Sequence, residues 1–207
     1  LTSTSFAKNF EGVVTFQLTG GKRTHEMEYA IKGDRMRMKM QLDAKNSTGG
    51  IVDAKTGEIF VLMPEQKMYM VFGGGADMVR DSMDANATIE ETGRTEKIAG
   101  YECSEYIIKD KNGTHEVWAT QGLGSFVSLA DVQKSRGKTP AWTHLLTEKQ
   151  LFPLRTINKD RRGRVIAQME ATRVEEKSLD QSMFEVPADY KRFDLPNLGG
   201  LLKGMAP

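Results

Sequence analysis

The sequence of 207 residues predicts a mainly β (α+β) fold. The expected architecture is a single open, curved antiparallel sheet, a half-barrel, with two or three helices covering its concave face. Three observations predict it. Apolar and polar residues alternate through the first third of the chain, glycine-rich turns separate the alternating runs, and helical patterns are few and do not alternate with strands. A closed barrel is the second possibility.

Alternation is clearest at Arg35–Met40, RMRMKM, where three cationic side chains point to one face and three thioethers to the other. The run Phe10–Leu18 and the run that follows Gly20 and Gly21 alternate in the same way. If these strands are neighbours, their apolar positions share one face of the sheet. The residues expected to line that face are Val14, Phe16, Met27, Tyr29, Ile31, Met36, Met38 and Met40.

Two further runs, Glu58–Met63 and Met68–Phe72, are apolar on both faces, so a second layer must cover them, and a helix packed across the sheet is the natural candidate. Helical patterns occur at Ala76–Ala85, at Phe126–Arg136 and after Pro140. Later strands are predicted at Arg94–Ile98, Tyr101–Lys109, His115–Thr120, Leu154–Asn158 and Val165–Val174. No repeat or linker divides the chain, so residues 1–207 are expected to form one domain with a mobile tail from about residue 197.

Composition argues against several classes of function. The formal net charge is +1, which gives no general electrostatic attraction for nucleic acid. The single cysteine, Cys103, cannot form an internal disulfide or a zinc ribbon. No apolar run approaches the length of a transmembrane helix. We expect no cofactor, no metal and no nucleic-acid partner.

Patterns of catalytic residues are also weak. The glycines of Gly73–Gly75 lack the spacing of a nucleotide-binding loop, and Ser125 does not lie in a G-x-S-x-G sequence. A hairpin that turns at residues 111–113 would place His115 opposite Lys109 and Cys103 near Gln121, too far apart for a nucleophile–base pair. The sequence therefore predicts a protein that is not an enzyme.

Methionine is abundant, with 12 residues. Met36, Met38 and Met40 share a face that Met27, Met68 and Met70 would join if the strands are neighbours. Three interpretations remain open: core packing, an adaptable thioether-lined cavity for an apolar ligand, and a site for Cu(I), which prefers soft ligands. On the opposite face, a basic stripe of Arg35, Arg37 and Lys39 can meet anionic headgroups or an acidic partner, or can be a solvated surface paired with Glu26 and Glu28.

Several segments together resemble an uncharacterised family of bacterial cell-envelope domains grouped with the LolA/LolB-like lipoprotein carriers. The most specific are IAGYECSEY and FEVPADY, supported by FEGVVTF, IKGDRMRMKM and VLMPEQKMYM, and the similarity extends from about Phe10 to Pro196. The resemblance implies an exported, signal-bearing protein of the periplasm or cell envelope. It also implies an unclosed half-barrel whose helices lid a cavity that accepts acyl chains. No site residue transfers from the family individually.

The function expected from these patterns is non-enzymatic binding of a lipid, a lipidated peptide or protein, or another apolar ligand in the half-barrel cavity, with contact to a membrane surface possible. The eight inward-facing residues, from Val14 to Met40, would line that cavity. The alternatives are a structural or protein-interaction module with a filled core, and Cu(I) binding by the methionines.

Overall fold

A computed structural model describes residues 10–21, 23–41, 43, 47–53, 55–72, 87–111, 113–123, 126, 146 and 149–193. Within this part of the chain, twelve strands form one sheet. The strands are β1 (Glu11–Gly20), β2 (Arg23–Lys32), β3 (Arg35–Gln41), β4 (Ser47–Asp53), β5 (Glu58–Met63), β6 (Met68–Phe72), β7 (Thr88–Ile98), β8 (Tyr101–Asp110), β9 (Gly113–Thr120), β10 (Phe152–Asp160), β11 (Val165–Glu176) and β12 (Lys191–Arg192). Two 3-10 turns lie at Pro64–Gln66 and Gln181–Phe184.

The sheet consists of two antiparallel meanders joined at a single seam. Its strand order is β12-β6-β5-β4-β3-β2-β1-β11-β10-β9-β8-β7. Strands β1 to β5 each pair with the next strand in sequence, as do β7 to β10, and β6 pairs with β5 and β12. The seam is the antiparallel pairing of β1 with β11, which carries a register shift between Thr15 and Phe16. Because β12 and β7 lie at opposite ends of the order, the sheet is open, as the sequence predicts.

The two faces of the sheet belong to two separate hydrophobic clusters. We call the face that carries Val14 and Phe16 the inner face, and the face that carries Val13 and Ala30 the outer face. The larger hydrophobic cluster contains the inner-face residues of β1–β3, together with residues of β8–β10 and the side chains of Phe126 and Leu146. The smaller cluster, on the outer face, consists of Val13, Ala30, Leu179 and Phe184, with Met183 packed against it.

Residues 177–193 cross the outer face, and we call this segment the C-terminal strap. It begins beside the paired ends of β1 and β2, where Nζ of Lys32 donates a hydrogen bond to the Leu179 carbonyl. Further along, the Arg37 guanidinium donates to the Met183 carbonyl at 2.7 Å. The strap ends as β12, which pairs in parallel with the edge of β6. A mostly extended segment therefore covers the outer face of β1–β3. The helix predicted over the second face of β5 and β6 stays a prediction.

The predicted helices at Ala76–Ala85, at Phe126–Arg136 and after Pro140 lie outside the described residues, apart from Phe126 and Leu146. So do Gly73–Gly75, Ser125 and the predicted mobile tail. Phe126 and Leu146 are 6% and 2% exposed. These two side chains are packed into the inner-face cluster, so Phe126 and Leu146 help to cover that face.

Candidate functional site

The eight residues predicted to share a face do so. Register pairing places Val14 beside Tyr29 and Tyr29 beside Met38 in one row across three strands. A second row joins Phe16, Met27 and Met40, and Ile31 faces Met36 in a third. Seven of the eight side chains are at most 8% exposed, while Met40 is half-buried.

Aromatic side chains fill the part of the inner face next to the seam. The ring of Tyr29 stacks on Phe126 at a centroid distance of 5.3 Å and meets Phe152 edge-on at 5.6 Å. Phe126 and Phe152 are themselves in edge contact at 5.4 Å, and Phe16 stacks on Phe152 at 6.2 Å. Offset and edge-on rings at these distances are favourable packing arrangements. This part of the inner face is therefore a packed core.

The inner face becomes more exposed toward β6. The row of Tyr29 and Met38 continues through Gly50 and Val61 to Met70. Gly50 is buried and contributes no side chain between Met38 and Val61. At the end of the row Met70 is half-buried. Three more half-buried methionines lie on the inner face: Met40, Met63 and Met68, of which Met63 and Met68 face each other across β5 and β6.

The most buried thioethers are already engaged in packing. The Tyr29 hydroxyl donates a hydrogen bond to Sδ of Met36 at 3.0 Å. Met36 and Met38 are each 2% exposed. A Cu(I) site made of Met36, Met38 and Met40 would have to displace this packing, so the geometry favours core packing for the first two. Among the described residues, no group of three or more His, Cys, Asp or Glu side chains is placed to hold a metal ion.

The groups considered for nucleophilic catalysis are not assembled. In the observed register His115 faces Ile108, one residue from the predicted partner Lys109. Nδ1 of His115 lies 2.7 Å from Oδ1 of Asn158, and Nε2 lies 3.5 Å from Asp110. Cys103 is fully buried, and burial raises the pKa of its thiol to about 11. The thiol is therefore protonated near neutral pH, and it behaves as a small apolar core residue.

A buried carboxylate on β8 has a structural explanation. Glu105 is 1% exposed, and it accepts hydrogen bonds from the Thr92 hydroxyl at 2.7 Å and from Nε of Arg94 at 2.6 Å. The guanidinium of Arg94 also lies over the ring of Trp118, 5.8 Å from its centroid. Thr92 and Arg94 flank Gly93 in the irregular part of β7, where the register with β8 shifts between Glu91 and Thr95. The bonds from Thr92 and from Nε of Arg94 both end on Oε2 of Glu105, and Nη2 of Arg94 donates to Oε1 at 2.5 Å, so each oxygen of Glu105 has a partner.

Comparison with known proteins identifies the family. A family model described as a domain of unknown function, DUF4412, matches residues 10–190. The chain belongs to the DUF4412 family. The match covers the two meanders and most of the C-terminal strap, and it agrees with the resemblance to an uncharacterised envelope-domain family noted in the sequence. No curated protein matches this DUF4412 chain.

Solved structures show where the fold recurs. PNGF-II aligns with a TM-score of 0.52 at 16% identity over 89% of this chain, which spans only 31% of PNGF-II. An uncharacterized conserved protein from Thermus thermophilus aligns with a TM-score of 0.52 at 11% identity, covering 90% of this chain and 91% of that protein. A putative outer membrane lipoprotein-sorting protein domain from Vibrio parahaemolyticus aligns over 87% of this chain and 91% of its own, with a TM-score of 0.34 and 9% identity. At these identities the first two likenesses concern the fold alone, and the third is too slight to carry an argument.

In the part of this DUF4412 chain that the structure describes, no helix is both long enough and apolar enough to span a bilayer.

The sequence correctly predicts that these eight residues share one face of the sheet. It does not predict that this face has a packed part and a half-buried part. The half-buried part includes Met63, which alternation within β5 places on the same side as Ile59 and Val61. The aromatic packing over Tyr29 depends on Phe126 and Phe152, which are 97 and 123 residues away along the chain. No local pattern reports such a contact.

Proposed function

We propose that this chain is a non-enzymatic protein of the cell envelope that binds an apolar ligand, such as a lipid or a lipidated peptide, on the inner face of its sheet. One observation carries the proposal. Along the row from Val14 to Met70 the side chains pass from fully buried to half-buried. The proposed ligand contacts the half-buried end, at Met40, Met63, Met68 and Met70.

The chemistry of this surface suits a flexible apolar ligand. Methionine is unbranched and polarizable, so it adapts to irregular apolar shapes. Each Å² of apolar surface removed from water contributes about 25 cal/mol before the costs of association. The other predicted lining residues are Val14, Phe16, Met27, Tyr29, Ile31, Met36 and Met38. In this proposal they form the floor that positions the methionines and do not themselves contact the ligand.

Location in the envelope and the ligand class rest on the sequence resemblance to envelope domains of the LolA/LolB-like type. Fold does not determine function, and the half-buried methionines are the independent support. Fractionation of cells that express the full-length protein tests the location, since a cytoplasmic protein would contradict it.

The ligand proposal is tested with protein purified without detergent. Native mass spectrometry should show retained lipid, and the neutral fluorescent probe N-phenyl-1-naphthylamine should bind with increased emission. The substitutions Met40→Gln and Met70→Gln place an amide on the binding surface and should weaken probe binding, together by about tenfold. Met183→Gln is the matched control, because Met183 is a partly buried methionine on the outer face.

Equal probe binding by the wild type, the double variant and the control would overturn the inner-face proposal.

A specific observation favours the second candidate, an interaction module with a filled core: the Phe126 and Phe152 rings already occupy the inner face beside Tyr29. Absence of both retained lipid and probe binding in a folded protein would decide for that candidate.

A further inference from the structure

A groove lies on the outer face, between the sheet and the C-terminal strap. It is an open groove with a volume of about 420 Å³, within the range of small-ligand sites in proteins. Val13 and Ala30 form its floor, and Leu179 and Met183 of the strap form one wall. The groove is on the opposite side of the sheet from the proposed inner-face site, so the two can be tested separately.

Charged side chains are arranged at the two ends of the groove. On β3, Arg37 and Lys39 line one end together with Glu28, which faces Lys39 across β2 and β3. At the other end, Glu175 of β11 is paired with Arg173 at 3.2 Å and with Lys177 at 3.1 Å. Each end therefore has two cations and one carboxylate, which leaves one excess positive charge at each end.

The distance between the two positive ends sets the distance expected between the two acidic groups of a ligand. Strands β3 and β11 are separated by β2 and β1, so three inter-strand steps of about 4.8 Å place the two positive ends about 14 Å apart. An extended peptide advances about 3.3 Å per residue, so acidic side chains four residues apart match this distance. Between the ends, an apolar side chain of the ligand would meet the small exposed part of Val13 and Ala30 together with the strap wall of Leu179 and Met183.

We propose that the outer groove binds an extended acidic peptide of the form acidic-x-apolar-x-acidic, which crosses β1 and β2 from β11 to β3. The two carboxylates of the peptide meet the excess cations at the ends, and its central side chain packs on Val13 and Ala30. Arg37 keeps its hydrogen bond to the Met183 carbonyl, which fixes the guanidinium at the rim with further N–H groups for the ligand.

The test uses a fluorescein-labelled, terminally blocked peptide, Glu-Gly-Leu-Gly-Glu, and measures fluorescence anisotropy with the full chain at low salt. Two comparison peptides replace both acids by lysine or the central leucine by serine. The Lys39→Gln/Arg173→Gln double variant should bind the acidic peptide about tenfold more weakly. The matched control is Lys55→Gln/Lys97→Gln, which removes two exposed cations that do not line the groove.

Ala30→Leu should also abolish binding, because its larger side chain fills the floor of the groove. If that variant does not fold, the serine peptide makes the same test, since it should bind more weakly to the wild-type protein. Equal binding of the acidic and lysine peptides would overturn the proposal, as would an equal loss in the control double variant.

A third arm uses vesicles of phosphatidylglycerol and phosphatidylcholine. Vesicle binding that is lost in Lys39→Gln/Arg173→Gln, without peptide binding by the wild type, would assign the groove to a membrane surface and also overturn the proposal.

Discussion

The Tyr29 hydroxyl donates its hydrogen bond to the thioether of Met36, across 3.0 Å and within the core. Tyr29 faces Met38 in the register, so the bond runs diagonally between β2 and β3. A buried hydroxyl needs a partner, and here a soft sulfur acceptor meets part of that need. The bond links the aromatic part of the inner face to its methionine part.

Tyr29→Phe should lower the free energy of unfolding by about 0.5–1.5 kcal/mol, since it removes a buried hydroxyl and its bonds but keeps the stacked ring. Urea denaturation measures this change. Tyr69→Phe, at a half-buried tyrosine on the outer side of β6, is the control and should change stability less. A Tyr29→Phe protein as stable as the wild type would show that the bond contributes nothing net.

Gly12→Ala should be strongly destabilising. A Cβ atom at Gly12 would lie 2.1 Å from the backbone carbonyl oxygen of Glu175, across the seam between β1 and β11. Backbone cannot yield as a side-chain tip does, so we expect a loss of about 1–3 kcal/mol or more. Gly20→Ala is the control on the same strand, because nothing lies within 4 Å of its added Cβ. If both variants melt at the same temperature in a thermal scan, the close approach at the seam is wrong.

Arg94→Ala should lower the free energy of unfolding by more than is usual for an exposed side chain. The Arg94 side chain is 65% exposed, but it pairs with the carboxylate of Glu105, whose side chain is only 2% exposed. Removing the cation leaves a buried charge without its main partner, at a cost of about 2–4 kcal/mol. Arg164→Ala, which breaks the pair with Asp160 at the surface, should lower the free energy of unfolding by less than Arg94→Ala does. Guanidinium denaturation of both variants makes the comparison, and equal losses would contradict the structural role of Glu105.

Acid should loosen the attachment of the C-terminal strap. The backbone N–H of Leu179, at 2.6 Å, and then Lys32 hold the pKa of Glu11 below its ordinary value. In the same way Lys67 lowers the pKa of Asp189 further along the strap. A carboxyl with a lowered folded-state pKa adds stability above its unfolded pKa, and that stability is lost as the pH falls through the folded value.

Thermal melts recorded from neutral pH down to about pH 3 test this expectation. The wild-type midpoint should fall below about pH 4.5, and Glu11→Gln should have a lower midpoint at neutral pH with a weaker dependence on acid. Glu90→Gln, at an exposed position of β7, should keep the wild-type pH profile. If Glu11→Gln keeps the wild-type pH profile, Glu11 does not contribute to the loss of stability in acid.

The parts of the fold that could be predicted are the strands whose own alternation of apolar and polar residues shows which face is buried. Arg35–Met40 alternates without exception, so its two faces are evident before any partner is known. The first half of β7 was missed because Thr88–Gly93 is polar and contains the irregularity at Gly93. Pairing of β1 with β11 was also beyond reach, because it joins segments about 150 residues apart and no short pattern encodes it.

The outer-face features were missed for a related reason. The strap has neither strand nor helix periodicity, and two of its contacts with the sheet are carbonyl groups that accept from Lys32 and Arg37. Any residue type presents a carbonyl, so the sequence of the strap does not reveal these bonds. The basic stripe, by contrast, was placed on the correct face, and of its expected acidic partners only Glu28 faces it, opposite Lys39.

The single seam between the two meanders also sets an order of assembly. Every other antiparallel neighbour of β1–β6 is the next strand in the chain, so that half can pair by local hairpins as it is synthesised. Strand β1 gains its second neighbour only after Glu176 has been made, and until then an unpaired edge stays open. The complete sheet is therefore available only late in synthesis, and the earlier half is for that time the part of the chain most in need of protection from aggregation.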